Sequence, residues 1–260
     1  MPYAKGEAAE IWYETYGDGP PLVLAHGAGG NTLVWWQQIP AFARRHRVVV
    51  FDHRCFGRSR CAKEDFAARH FPRDLLAVLD AAGVDRAVVV GMSMGGWSAL
   101  PLAVRHPERV AKLVLAGTPG GLVTDGVLAA MAEIGRGAAE GGEESLRGAI
   151  TFSRRFARER PEMVHLYDRI SALNTGFEPR MLGAVAAPDA RVAPSELAGY
   201  AVPTLMIAAE EDALFPPRAL REVAALVPGC EWAEVPGAGH SMYFEDPAAF
   251  ERLVLDFAAR

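Results

Sequence analysis

The three cysteines of this 260-residue chain, Cys55, Cys61 and Cys230, form neither a CxxC pair nor an even-numbered framework. A disulfide scaffold or structural metal site is therefore not expected, and the chain reads as one from a reducing compartment in which cysteine carries no chemistry. Basic runs are equally scarce. No stretch of Lys or Arg exceeds two residues, and 27 basic side chains face 32 acidic ones for a net charge of −5. That balance leaves no electrostatic footprint for nucleic acid or an anionic membrane surface. The N-terminal MPYAKGEAAEIWYETYGDG lacks the apolar core of a signal peptide and holds acids that a transit peptide avoids, which points to the cytoplasm. One uncharged stretch, the 18 residues Ala87 to Val104, reaches the length of a membrane span. Gly91, Gly95, Gly96 and Pro101 interrupt it, so it reads as a buried strand, a sharp turn and a buried helix rather than a membrane span.

What is present is an apolar chain with 50% hydrophobic residues, enough for one large core without cross-links. Short β-branched or apolar runs recur at Ile11–Tyr16, Leu22–Ala25, Val48–Phe51, Ala87–Val90, Leu113–Ala116, Thr204–Ala208 and Glu231–Val235. Helical patterns lie between most of them, at Phe71–Ala82, Met94–Arg105, Pro217–Val227 and Pro247–Ala259. This alternation predicts an α/β fold: a mostly parallel sheet of about eight strands with helices on both faces. The stretch from Pro119 to Gly199 has no strand pattern and is punctuated by Gly141-Gly142, Pro161, Pro179, Pro188 and Pro194. A structureless connection of that length is improbable in a compact domain. It is expected to be a helical cap, residues 119–199, inserted into a core of residues 1–118 and 200–260.

Gly91-Met92-Ser93-Met94-Gly95 fits G-x-S-x-G directly between a strand and a helix, the context that gives this motif its meaning. Small flanking residues let the strand turn sharply, which exposes the Ser93 hydroxyl above the sheet edge. The helix N-terminus behind it supplies N–H groups favourable to an oxyanion. An unactivated hydroxyl is a poor nucleophile, so Ser93 needs a base. Among seven histidines, His240 stands in the glycine-rich Pro236-Gly-Ala-Gly-His240-Ser loop after the last strand. Glu210-Glu211-Asp212 follows the preceding strand and offers a carboxylate to orient it. Asp212 is favoured by its distance from the strand body, with Glu211 as the alternative.

With these residues in order, the chain resembles the α/β-hydrolase superfamily over nearly everything outside the insertion. His26-Gly27-Ala28-Gly29-Gly30 looks like the superfamily's oxyanion loop, and Asp52-His-Arg54-Cys55-Phe-Gly57-Arg-Ser59 like its D-x-R-G-x-G-x-S turn. Ala209-Glu-Glu-Asp212 looks like G-x-x-D, and Gly237-Ala-Gly-His240 with Glu245 and Pro247 like the G-x-G-H tail. Cys55 and Ala209 replace the usual glycines, and a residue with a side chain tolerates positive φ poorly. The resemblance implies a cofactor-free serine hydrolase with no metal, a Ser93-His240-Asp212 triad, and the backbone N–H groups of Ala28 and Met94 as the oxyanion hole.

The expected partner is a small-molecule ester. Carboxylesterases and meta-cleavage-product C–C hydrolases are the relatives the elbow resembles; a lyase or cyclase on the same fold and a receptor-like binder with slow hydrolysis are the alternatives. Ser93 excludes the aspartate-nucleophile branch of dehalogenases and epoxide hydrolases. Candidate substrate contacts are Gly27, Trp35, Trp97, His165, Phe215 and Tyr243, since aromatic walls are common in small-molecule pockets. His26 reads as a loop-fixing residue, and His46, His53, His70 and His106 as solvated. The basic run Arg154, Arg155, Arg158 and Arg160 reads as a salt-bridged surface face. Nothing in the sequence selects between a monomer and a homodimer.

Overall fold

The computed structural model describes residues 3–141 and 150–260; Gly142 of the Gly141-Gly142 break lies outside them. Among the described residues nine strands form one sheet: β1 (Tyr3–Gly6), β2 (Ala9–Tyr16), β3 (Pro21–Ala25), β4 (Arg47–Phe51), β5 (Arg60–Cys61), β6 (Ala87–Met92), β7 (Val110–Ala116), β8 (Thr204–Ala209) and β9 (Glu231–Val235). Their spatial order is β1-β2-β4-β3-β6-β7-β8-β9, with β5 added alongside β2. All pairings from β4 through β9 are parallel, whereas β2 pairs antiparallel with β1, β4 and β5. The α-helices whose two ends are both described are α1 (Gln38–Phe42), α2 (Phe71–Ala81), α3 (Gly96–Arg105), α4 (Asp125–Gly141), α5 (Arg154–Glu159), α6 (Pro161–Ser171), α7 (Pro217–Leu226), α8 (Met242–Glu245) and α9 (Pro247–Ala259).

The valine run of β6 shows why the sheet is covered twice. Val89 packs into the core on the α2, α3 and α7 face, while Val88 and Val90 pack into the other, where Phe42 of α1 and Phe250, Val254 and Phe257 of α9 lie. Successive side chains point to opposite faces, so an uninterrupted apolar strand needs an apolar partner on each side. The uncharged run from Ala87 to Val104 is β6, a tight turn and α3, and no helix among the described residues is long and apolar enough to cross a membrane. Between β7 and β8 the described residues hold helices and short 3-10 turns but no strand.

The strand order reverses at β3. The chain leaves β3 for β4 on one side, whereas β6 lies on the other. Loops leaving β3 and β6 therefore diverge at their carboxyl ends, and a crevice opens between them, the usual place for a ligand in an open α/β sheet.

Two expectations are corrected here. Cys55 and Cys61 are joined in a disulfide, their Cα atoms 5.5 Å apart. Successive turns, closed by the Phe56 N–H on the His53 carbonyl and the Ser59 N–H on the Phe56 carbonyl, reverse the chain, so cysteines six positions apart meet without any of the spacings that mark a framework. Cys55 also keeps the turn's left-handed backbone, at φ +66°, in place of the usual glycine. His53 is buried rather than solvated, lying against Phe51 and Phe71.

Candidate active site

The elbow after β6 is held by close packing. A Cβ on Gly95 would lie 2.1 Å from the Ala25 carbonyl oxygen of β3, so only glycine lets the turn approach the neighbouring strand. Ser93 itself has φ +50°, a strained conformation that lifts its side chain off the strand end. Its hydroxyl lies 2.8 Å from Nε2 of His240, and Nδ1 of His240 lies 2.8 Å from Oδ2 of Asp212. The other carboxylate oxygen of Asp212 accepts the backbone N–H groups of Leu214 and Phe215 at 2.8 and 2.9 Å. Both carboxylate oxygens are thus engaged and buried, which fixes Nδ1 of His240 as the protonated nitrogen and leaves Nε2 to accept from Ser93. Glu210 and Glu211 are exposed, and Glu210 instead accepts the Gly237 N–H. Asp212 is the carboxylate at His240.

The loop after β3 faces this chain of groups. His26 is fully buried, its Nδ1–H donating to the Gly27 carbonyl at 2.8 Å and its Nε2 accepting the His53 backbone N–H at 2.9 Å. Burial pulls its pKa down to about 4, so the ring is a neutral bracket for the loop rather than a second base. His53 packs edge-on against it and is bonded to the Ser98 hydroxyl of α3; burial holds it neutral as well. At the far end of the loop, Asp52 accepts the Thr32 and Arg58 N–H groups at 2.6 and 2.8 Å. Arg54, fully buried, forms a two-point pair with Asp74, both contacts at 2.7 Å.

A cavity of about 390 Å³ opens above Ser93. Of the proposed residues, Gly27, Ala28, Ser93, Met94, Trp97, Phe215 and His240 line it, with Asp212 behind His240. Three proposed substrate contacts do not. Trp35 and Tyr243 pack against each other in the core, ring centroids 4.6 Å apart and planes tilted by 45°, because α1 and α9 cover that face of the sheet. His165 is exposed on α6 and turned from the cavity, while Tyr167 two residues later lines it. Sequence reasoning named none of the wall supplied by the 119–199 segment, which includes Met131, Ile134, Ser171, Asn174, Phe177, Leu182 and Val185. Their apolar spacing is shared with any packed helix. No Asp, Glu, Lys or Arg is among the described lining residues.

The inserted segment also grips the histidine loop. Glu245 accepts the Ser153 N–H at 3.0 Å, the Ser153 hydroxyl at 2.7 Å and the Gly239 N–H at 3.0 Å, and the Ser241 N–H reaches the Thr151 carbonyl at 2.9 Å. Burial raises the Glu245 pKa despite these bonds.

A sharp elbow, a buried serine–imidazole–carboxylate chain and an adjacent glycine loop above a parallel sheet define an α/β hydrolase. The model of the alpha/beta hydrolase fold matches residues 20–247, and this chain belongs to that family. It is 33% identical to a protein of Azorhizobium caulinodans named as a carbamate hydrolase, RutD, over 99% of this chain and 98% of that one. It is 32% identical to the 2-hydroxymuconate semialdehyde hydrolase of Pseudomonas sp. strain CF600, over 94% and 88% of the two chains. Among solved structures it is similar to Est816, an N-acyl homoserine lactone degrading enzyme, with a TM-score of 0.85, 31% identity and coverage of 98% and 100%. Two of these three are named as hydrolases and the third as a lactone-degrading enzyme.

Proposed function

We propose that this protein is a serine hydrolase that cleaves a neutral small-molecule carboxylic ester, open-chain or lactone, through an acyl-enzyme. The carrying observation is the Ser93–His240–Asp212 chain at 2.8 Å spacings, opening on an apolar cavity. Ser93 Oγ attacks the carbonyl carbon while its proton passes to His240 Nε2. Asp212 keeps the ring oriented and stabilises the imidazolium that forms. The tetrahedral oxyanion is received by the N–H groups of Ala28 and Met94, each donor contributing roughly 3–4 kcal/mol in the transition state. His240 then returns the proton to the leaving alkoxide, the C–O bond breaks, and the same base activates water to release the acid. Residues 119–199 act as the cap that closes the pocket.

The absence of charge among the described lining residues favours an ester over a hydroxymuconate semialdehyde. That substrate carries a carboxylate, and an anion in an apolar pocket needs a cationic partner; none of the described lining residues is Lys or Arg. Replacement of Ser93 with Ala should lower turnover of aryl esters by roughly 10⁴-fold or more and abolish labelling by a fluorophosphonate probe. Retained labelling overturns the assignment. Hydrolysis in ¹⁸O-water should place the label in the product acid; its absence would mean a lyase, and a single slow turnover would mean a receptor-like binder.

A further inference from the structure

We infer that Asn174, carried by the inserted segment just after α6, is a positioning residue that holds the Gly27–Asn31 loop in the geometry its oxyanion donor requires. This rests on the hydrolase reading above. Asn174 Nδ2 donates to the carbonyls of Gly29 and Gly30 at 2.9 and 3.1 Å. Its Oδ1 accepts the Gly57 N–H at 2.9 Å and Asn31 Nδ2 at 3.1 Å. Asn31 Nδ2 also donates to the Ile170 carbonyl of α6 at 3.0 Å, while Asn31 Oδ1 accepts the Leu33 N–H.

The loop needs such a clasp. It contains three glycines, Gly29 has φ +82°, and a bond within it runs from the Gly30 N–H to the Gly27 carbonyl at 3.1 Å. Gly30 is buried and Gly29 half-buried, so their carbonyls need donors, and Asn174 supplies one to each. Asn174 borders the cavity but is buried, and two donations and two acceptances use its full amide capacity. A substrate could bond it only by displacing a bond to the loop or to the Gly57 turn. Its action therefore passes through the backbone of Gly29 and Gly30 to the adjoining Ala28.

The experiment compares the wild type with Asn174→Ala, Asn174→Asp and, as a control on the same turn, the exposed Leu173→Ala. Asn174→Asp preserves size and both acceptances but removes both donors, and it carries the test if the alanine variant fails to fold. Steady-state hydrolysis of p-nitrophenyl butyrate is measured with inhibition by an aryl trifluoromethyl ketone, which forms a tetrahedral oxyanion on serine, and by its methyl ketone counterpart. Both Asn174 variants should lose about 10²-fold in kcat, the scale of a small misplacement at a reacting centre, with KM little changed. Trifluoromethyl ketone inhibition should weaken in parallel, methyl ketone inhibition should hold, and Leu173→Ala should behave as wild type. A folded Asn174→Asp enzyme with undiminished kcat, or a rise in KM alone, overturns the inference. A wild type that neither turns over nor takes a fluorophosphonate label defeats the hydrolase reading instead.

Discussion

His26 makes the native state sensitive to mild acid. Its ring is fully buried, and burial lowers its pKa from 6.5 to about 4. The unfolded chain therefore binds a proton that the native state refuses, so the stabilising contribution is complete above pH 6.5 and is lost as pH falls toward 4. The 2.5-unit difference corresponds to about 3 kcal/mol in full, of which about 2 kcal/mol is lost by pH 5. His53 acts in the same direction. Buried Asp52, Asp74 and Glu245 act oppositely, because their raised native pKa values let the folded state take up protons first. Urea unfolding at intervals from pH 7.5 to 5 on the wild type and on His26→Gln isolates the histidine. The variant starts less stable, having lost the loop bracket, but the gap should narrow by about 2 kcal/mol at pH 5. Parallel stability curves would refute a buried neutral His26.

Two further outcomes follow from groups around the Asp52–Ser59 turn. Arg54→Met strands the buried Asp74 carboxylate and should cost about 3–5 kcal/mol in denaturant unfolding. Arg54→Met with Asp74→Leu should recover a substantial part of that loss, and strict additivity of the two single changes would contradict the pairing. Reduction of the Cys55–Cys61 bond should lower stability by about 2 kcal/mol for so short a loop. Before reduction only Cys230 should be free, and slow to alkylate because burial pushes its thiol up to about 11; three titratable thiols in the native protein would disprove the bond.

The central strands were legible because each is an apolar run buried on both faces, as in Val88-Val89-Val90 of β6. β1 and β5 were not: they are four and two residues long and pair at the edge, where pattern carries little information. The meeting of Ser93, His240 and Asp212 was legible because each follows a strand, Ser93 and His240 among small residues with a local mechanical reason and Asp212 at the end of an acidic loop beyond the strand body. Trp35 and Tyr243 were misplaced because proximity to a catalytic loop in sequence does not say which face of the sheet a side chain joins. The disulfide escaped notice because the turns between its cysteines, not a recognisable spacing, bring them together. Asn174 has no signature at all: its partners lie at positions 29–31 and 57, and only the folded chain makes them neighbours.

The contacts of Ser153 with Glu245 and Gly239, beside those of Asn174 with the glycine loop, bear on how this scaffold can be recombined. A chimera that exchanges residues 119–199 for the equivalent stretch of a relative would replace the pocket wall, but it would also remove donors that two loops of the host rely on. Transplants that retain a serine at 153 and an asparagine at 174 should keep their rate and change only their preference. Those that lack either should be slow on every substrate, so a failed graft would report lost scaffolding and not poor fit.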